Sequence, residues 1–243
     1  MIDYLAHLKR DGAAVSALAR EADLTTPVPS CPDWVLGDLV GHLGVVHRVQ
    51  AVRAGAGSAE RLDPERPRPP ASGLADWYDE GLANLVAVLE RTDPAAPAWN
   101  WAPDEPKVAA FWHRRMAQET VVHRWDGEAA VGRPDPIDPT LAADGVDEWL
   151  TAFLGADVAD PKIAVPDRVG TLHLHCTDAA GEWWASLTGR NLEVRREHAK
   201  ADVAARGPAA DLLLVCWRRL SADALDTVGD RAVLDAWLSF PDN

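Results

Sequence analysis

The first half of the chain repeats apolar residues at the three- and four-residue spacing of amphipathic helices. In the segment 3–21, the residues Leu5, Leu8, Val15 and Leu18 recur in this way among charged residues. The same spacing predicts four further helices, over residues 32–54, 74–92, 107–130 and 140–153. A proline- and arginine-rich linker separates the second helix from the third. The pattern therefore predicts an all-helical first domain.

The pattern changes after Gly155. Residues 171–177 alternate with period two, and a turn connects them to a second alternating segment at 182–187, so the pair is predicted to form a hairpin. Further strands are predicted at 192–196 and 201–205, and helices at 208–220 and 231–240. The sequence thus predicts a two-domain α+β protein. Residues 1–155 form its helical domain, and residues 156–243 form a small α+β domain with a mostly antiparallel sheet.

The second helix is predicted to begin near Pro32 and Asp33, where Ser30 or Asp33 can cap its first turn. A stripe of core-type residues follows along this helix. Its members are Val35, Leu39, His42, Val46 and Val49. His42 therefore occupies a position that faces the core. His47 falls off the stripe and is predicted to be solvated.

The fourth helix also carries polar residues in line with an apolar stripe. Glu119 and His123 are four residues apart, so they project from one face, and the same face continues back through Met116 and Trp112. Burying a carboxylate and an imidazole costs several kcal/mol, about 2–7 for an unpaired polar group, unless a partner compensates them. The pattern therefore predicts that these side chains have such a partner.

A metal ion is one candidate partner, because His42 supplies a third ligand from another helix. Facing helices of a bundle build metal sites from inward side chains, and two histidines with one carboxylate are typical of catalytic zinc with an open fourth position. Two alternatives remain open at this point. Glu119 and His123 also fit a surface ion pair, and His42 also fits a hydrogen-bonded core histidine.

Other polar residues have weaker signals. Asp126, three residues after His123, is placed to orient that imidazole ring, and Arg115 is placed to compete for the carboxylate of Glu119. His173 and His175 share one face of a predicted strand. No third ligand is evident near this pair, so we expect it to lie on a polar sheet face.

Composition and charge narrow the class of protein. The net charge is −14, and no basic run exceeds two residues, which argues against nucleic acid or an anionic membrane as partner. No apolar run approaches membrane-spanning length, and the N-terminus lacks the apolar core of a signal peptide. Three distant cysteines are typical of a reducing compartment. We therefore expect a cytoplasmic protein.

Three segments together resemble a known family. They are Ser30-Cys-Pro-Asp-Trp34 with Leu36-Gly-Asp-Leu-Val-Gly-His42, then Arg115-Met-Ala-Gln-Glu119-Thr-Val-Val-His123-Arg-Trp-Asp126, and then Leu172-His-Leu-His-Cys-Thr-Asp178 with Gly181-Glu-Trp183. They are similar to motifs of the mycothiol-dependent maleylpyruvate isomerase family. That resemblance implies a DinB-like four-helix bundle followed by a small α+β domain.

The resemblance also implies a chemistry. It implies a divalent metal, typically zinc, on His42, Glu119 and His123, and mycothiol, a low-molecular-weight thiol, as cosubstrate. It implies a catalytic or cofactor-binding arginine after the leucine-rich helix of the second domain. The matching residue is Arg219, although Arg218 stands where the family usually has glycine.

The expected reaction is addition of a metal-bound thiolate to an electrophilic small molecule, followed by bond rotation and elimination, which is cis–trans isomerisation. Mycothiol S-transfer at the same site is an alternative, because the same activated thiolate serves both reactions. A non-catalytic bundle that binds a metal or another ligand is a further alternative. The sequence predicts no oligomeric state.

Overall fold

The structure, a computed structural model, describes residues 2–239. Its contacts divide the chain into two compact units. The first comprises Met1–Asn100 and Glu105–Asp135, and the second comprises Trp101–Asp104 and Pro136–Asn243. The boundary expected between residues 155 and 156 stays a prediction, and by contacts residues 136–155 group with the second unit. Residue 240, the end of the last predicted helix, lies outside the described residues.

Four helices build the first unit. They are α1 (Tyr4–Glu21), α2 (Leu36–Ala54), α3 (Leu74–Arg91) and α4 (Ala110–Ala130). Helix α2 packs against α3 and α4, and α1 packs against α3 and α4. Their core contains fully buried apolar side chains from every helix, such as Leu8, Leu43, Leu85 and Trp112. The expected four-helix bundle is confirmed.

Helix α2 begins later than the sequence predicted. Asp33 has a φ of 69°, in the left-handed region that a helix does not adopt, and Val35 is extended. The backbone N–H of Val35 donates to the side chain of Asp38 at 3.0 Å, so Asp38 satisfies the first turn from within the helix. The prediction that Ser30 or Asp33 caps this helix near Pro32 is wrong. Residues 22–35 form a loop instead.

The prediction that His47 is solvated is also wrong. Its side chain is fully buried, and its Nε2 lies 3.1 Å from the hydroxyl of Thr120. Because α2 has helices on two sides, it buries more than the one stripe that a surface helix would bury. Burial lowers the pKa of His47 to about 3, so the ring is neutral at physiological pH.

Helix α4 buries charged residues alongside apolar ones. Arg124 lies 3.2 Å from Asp11 of α1 through its Nε and 2.6 Å from Glu128 through its Nη1, and all three side chains are buried. The same guanidinium donates to the backbone carbonyl of Asp135 at 3.0 Å. This ion network therefore joins α1, α4 and the chain segment that follows α4.

Up to residue 239, where the described part of the chain ends, the second unit contains a five-stranded sheet and four α-helices. Its elements are α5 (Pro139–Glu148), a π-helical turn (Trp149–Phe153), α6 (Leu154–Ala159), β1 (Arg168–Cys176), β2 (Glu182–Thr188), β3 (Asn191–Arg195), β4 (Val203–Gly207), α7 (Ala209–Cys216), a 3₁₀ turn (Ala222–Ala224), β5 (Asp226–Gly229) and α8 (Arg231–Ser239). The strand order is β3-β2-β1-β4-β5, with one parallel pair, β1 and β4. The mostly antiparallel α+β unit is confirmed.

Two details of the second unit were not predicted. Strand β5 has four residues and lies at the edge of the sheet, so its sequence carries too few alternating positions to be recognised. The predicted helix 140–153 continues through the π-helical turn into α6. Within residues 2–239 there is no helix with the length and apolarity needed to cross a bilayer.

The ion network of Arg124 generates a stability prediction. We expect Arg124→Met to lower the free energy of unfolding by about 3–5 kcal/mol, because it removes the guanidinium that pairs with the buried carboxylate of Glu128 and leaves Asp11 with Arg10 alone. Urea denaturation of both proteins measures this difference. Arg133→Met is the matched control, since Arg133 forms an exposed pair with Glu21 at 4.0 Å and should change stability by less than about 1 kcal/mol.

The buried His47 generates a pH prediction. Its pKa is lower in the folded protein than in the unfolded chain, so its contribution to stability is present above the unfolded pKa and is lost as the pH falls. With an unfolded pKa of about 6.5, the free energy of unfolding that this group contributes falls by about 2 kcal/mol between pH 7 and pH 5. Urea denaturation at the two pH values measures this loss. The free energy of unfolding of wild type should fall by about 2 kcal/mol more than that of His47→Gln. Equal losses would contradict the prediction.

Candidate metal centre

Helices α2 and α4 bring the three predicted ligands together. His42 comes from α2, while Glu119 and His123 lie one turn apart on α4. His42 Nε2 is 3.1 Å from Glu119 Oε1, and His123 Nε2 is 3.6 Å from the same oxygen. One potential ligand atom from each residue lies within 4.8 Å of the other two. Whether these atoms hold a metal stays a prediction that the geometry permits.

The spacing of these atoms fits a divalent ion. Nitrogen and oxygen ligands at 2.0–2.2 Å from a tetrahedral zinc are about 3.4 Å apart, and the two measured separations bracket that value. The side chains are 28%, 20% and 11% exposed for His42, Glu119 and His123. The group is thus open to solvent on one side, as a site with a free coordination position requires.

The two oxygens of Glu119 have different partners. Oε1 faces the histidines, while Oε2 accepts a hydrogen bond of 2.9 Å from Arg115. The sequence predicted that Arg115 could compete with the histidines for Glu119. Because it binds the other oxygen, it does not displace them. Burial alone would raise the pKa of Glu119, but the hydrogen bond with His42 and the charge of Arg115 hold it well below its usual range. The carboxylate is ionised at neutral pH.

Asp126 fixes the orientation of His123. Its Oδ2 lies 2.9 Å from His123 Nδ1, and its Oδ1 accepts a hydrogen bond of 2.6 Å from the hydroxyl of Ser30. A carboxylate at Nδ1 holds the Nδ1 proton and fixes the ring, so Nε2 is the nitrogen that faces Glu119. Burial would lower the pKa of His123, but the hydrogen bonds with Asp126 and Cys31 and the nearby carboxylates raise it to about 9.

The loop before α2 supplies residues that the sequence did not single out. Cys31 Sγ lies 3.6 Å from Asp126 Oδ2, and Cys31 forms a second potential ligand group with His123 and Asp126. The ring of Trp34 lies 4.9 Å from that of His42 and 6.1 Å from that of His123, between centroids. These residues belong to the segment 30–34 that carries the family resemblance, but nothing in its local pattern revealed their contacts with α4.

A groove opens beside His42 in the first unit. Its volume is about 620 Å³. It is lined by Asp33, Trp34, Asp38, Gly41, His42, Val45, Arg66, Pro67, Arg68 and Pro69. Arg66 and Arg68 come from the proline-rich linker, which gave no sequence signal for a binding role. They contribute two guanidinium groups to a lining that also contains the carboxylates of Asp33 and Asp38.

Arg219 lies in the second unit, directly after α7. Its Nη1 donates a hydrogen bond of 2.8 Å to the backbone carbonyl of Trp217. The preceding Arg218 has a φ of 59°, in the left-handed region that favours glycine. A glycine would suit this conformation, in agreement with the residue that the family resemblance implies at position 218. The role expected for Arg219 stays a prediction.

Comparison with known families identifies the chain. Residues 5–127 match the family model of the mycothiol maleylpyruvate isomerase N-terminal domain, and residues 140–236 match that of the MDMPI C-terminal domain. The chain belongs to the mycothiol-dependent maleylpyruvate isomerase family. The N-terminal match contains all three candidate ligands, and the two matches together span both units of the fold.

Solved structures agree with this assignment at the level of fold. The chain is similar to the crystal structure of the mycothiol-dependent maleylpyruvate isomerase, with 12% identity and a TM-score of 0.61 over 92% of this chain and 91% of that one. A histidine-to-alanine mutant of that enzyme gives 11% identity and the same TM-score and coverage. A comparison with curated proteins found no match. At these identities the likeness shows the family's fold and leaves the reaction to be tested.

The contact between Asp126 and His123 generates a binding prediction. We expect Asp126→Ala to weaken zinc binding by about 10- to 100-fold, because the ring of His123 loses the acceptor that orients it. A competition titration of zinc against a chromophoric chelator measures the affinity. Asp33→Ala is the matched control, since this exposed aspartate lines the groove outside the candidate ligand groups and should leave affinity unchanged. An unaltered affinity in Asp126→Ala would contradict the role of Asp126.

Proposed function

We propose that this protein is a metal- and mycothiol-dependent enzyme that catalyses cis–trans isomerisation of an electrophilic small molecule. The observation that carries the proposal is the convergence of His42, Glu119 and His123 within one family-matching domain. Two histidines and a carboxylate leave a fourth position for a ligand, which is the arrangement of catalytic zinc sites. A divalent ion bound there would stabilise the thiol of mycothiol as a thiolate at neutral pH.

The residues of the chain hold this site in one geometry. Asp126 keeps His123 Nε2 directed towards Glu119, and Arg115 keeps Glu119 Oε2 occupied, so that Oε1 remains directed at the histidines. The ring of Trp34 lies beside those of His42 and His123. Because these contacts restrict the side chains to one arrangement, the site would need little rearrangement to accept an ion.

The proposed isomerisation conserves atoms and electrons. The sulfur of mycothiol forms a bond to one carbon of a cis double bond, and the electron pair of that double bond moves towards a conjugated carbonyl group. The former double bond is then a single bond and rotates. When the carbon–sulfur bond breaks, the double bond re-forms in the trans arrangement and mycothiol is released unchanged.

An anionic substrate would also need a cation. Arg66 and Arg68 line the groove beside His42 and are suited to this role in the first unit. Arg219 remains our candidate from the second unit for contact with the substrate or with mycothiol. A guanidinium suits a carboxylate because it donates two parallel hydrogen bonds.

We expect His42→Ala and Glu119→Gln to lose zinc from this site, since each removes a ligand. Mycothiol-dependent turnover should fall by at least about 100-fold, because removal of even a ligand's hydrogen-bonding partner often costs about 10- to 100-fold. Zinc content after dialysis and isomerisation of a cis-unsaturated keto acid with catalytic mycothiol are the measurements. His7→Ala, outside the site, is the control.

The same assay separates the alternatives. Consumption of one mycothiol per product would favour S-transfer over isomerisation, and zinc binding without turnover of any cis-unsaturated acid would favour a non-catalytic bundle. Full activity in His42→Ala would overturn the proposed function. Arg219→Gln should retain zinc and raise KM if this residue contacts the substrate.

A further inference from the structure

The second unit contains a cluster of histidines that the proposed reaction does not use. Strand β1 places His173 and His175 on the sheet face opposite to Leu172 and Leu174, which are buried in the core. The prediction that no third ligand lies near this histidine pair is wrong. Glu182 of β2 pairs with His175 across the antiparallel ladder, and its side chain contacts both histidines.

The cluster converges on one carboxylate oxygen. Glu182 Oε1 lies 3.0 Å from His173 Nε2, 2.9 Å from His175 Nδ1 and 2.6 Å from His198 Nδ1, where His198 comes from the loop after β3. A carboxylate has about four lone-pair positions over its two oxygens, so three nitrogens at one oxygen exceed what that oxygen accommodates as separate hydrogen bonds. His173, His175 and Glu182 are therefore crowded closely enough for one ion to lie within reach of all three side chains.

We propose that His173, His175 and Glu182 form a second metal site, which binds a divalent transition ion such as zinc. One potential ligand atom from each of these residues lies within 4.8 Å of the other two. The set of two imidazoles and one carboxylate suits zinc and its neighbours in the first transition row, whereas calcium and magnesium prefer oxygen ligands throughout. Residues from adjacent strands supply the ligands, so the ion would cross-link β1 to β2.

The surroundings leave room for an ion and further ligands. A pocket of about 240 Å³ opens over the cluster. Its lining includes His173, His175 and His198. The side chains of His175 and Glu182 are 44% and 27% exposed, so their movement can widen the 2.9 Å and 3.0 Å separations to those around a metal. Water or a small anion has space to complete the coordination.

The test is a zinc-binding experiment on the full chain. Four proteins are dialysed against buffered free zinc, namely wild type, His42→Ala, His175→Gln and the double variant. Atomic absorption then measures the zinc bound to each. With both sites present we expect about two equivalents in wild type, about one in each single variant and none in the double variant. If only the second site exists, wild type and His42→Ala should each bind about one equivalent. His175→Gln and the double variant should then bind none, which distinguishes failure of the proposed catalytic site from failure of the second site.

Two further variants keep the result clear. Glu182→Gln should also lose about one equivalent, because a neutral amide is a weak zinc ligand, while His7→Gln should lose none. Circular dichroism establishes that each variant retains its sheet, and the partly exposed positions chosen make that outcome the expected one. If His175→Gln and Glu182→Gln bind as much zinc as wild type, the cluster is a hydrogen-bonded ion network and the second metal site is overturned.

Discussion

The first unit depends on how α4 pairs its buried charges. An ionised side chain that leaves water costs several kcal/mol unless an opposite charge or hydrogen bonds compensate it. Arg124 meets Asp11 of α1, and Asp126 meets Ser30 in the loop before α2. Each pairing fixes the position of a neighbouring segment along the axis of α4. The charges of α4 therefore determine the register of the bundle as well as the chemistry of its centre.

The same pairing makes the candidate metal site rigid on one side and open on the other. Asp126, behind His123, is fully buried, whereas His42 at the front retains contact with solvent. Supporting residues that are immobilised by packing hold ligands within small tolerances, and that precision matters for metal affinity and rate. The cluster around Glu182 has the opposite character, since two of its histidines are largely exposed. It lacks a buried support of this kind, which suits a cross-link better than catalysis.

The sequence allowed much of this arrangement to be predicted, and the failures have physical causes. His42, Glu119 and His123 were recognisable because each interrupts an apolar stripe, and such an interruption needs a partner. His47 was missed because one stripe describes a helix with one buried face, whereas α2 has two. Glu182 was missed because a cross-strand neighbour depends on the pairing register, which the sequence pattern of one strand does not contain. Long-range contacts such as Ser30 with Asp126 leave no local signal at all.

The proline-rich segment beside His42 has a consequence for how the groove can evolve. Pro69 packs so closely on Gly41 that a methyl group there would meet its ring at 3.0 Å, yet the linker contributes no candidate metal ligand. Its prolines lack the N–H groups that would bind it into a helix or sheet. Substitutions in this segment can therefore reshape the groove while the ligands stay in place. Relatives that share one reactive centre can in this way diverge in the molecules they accept.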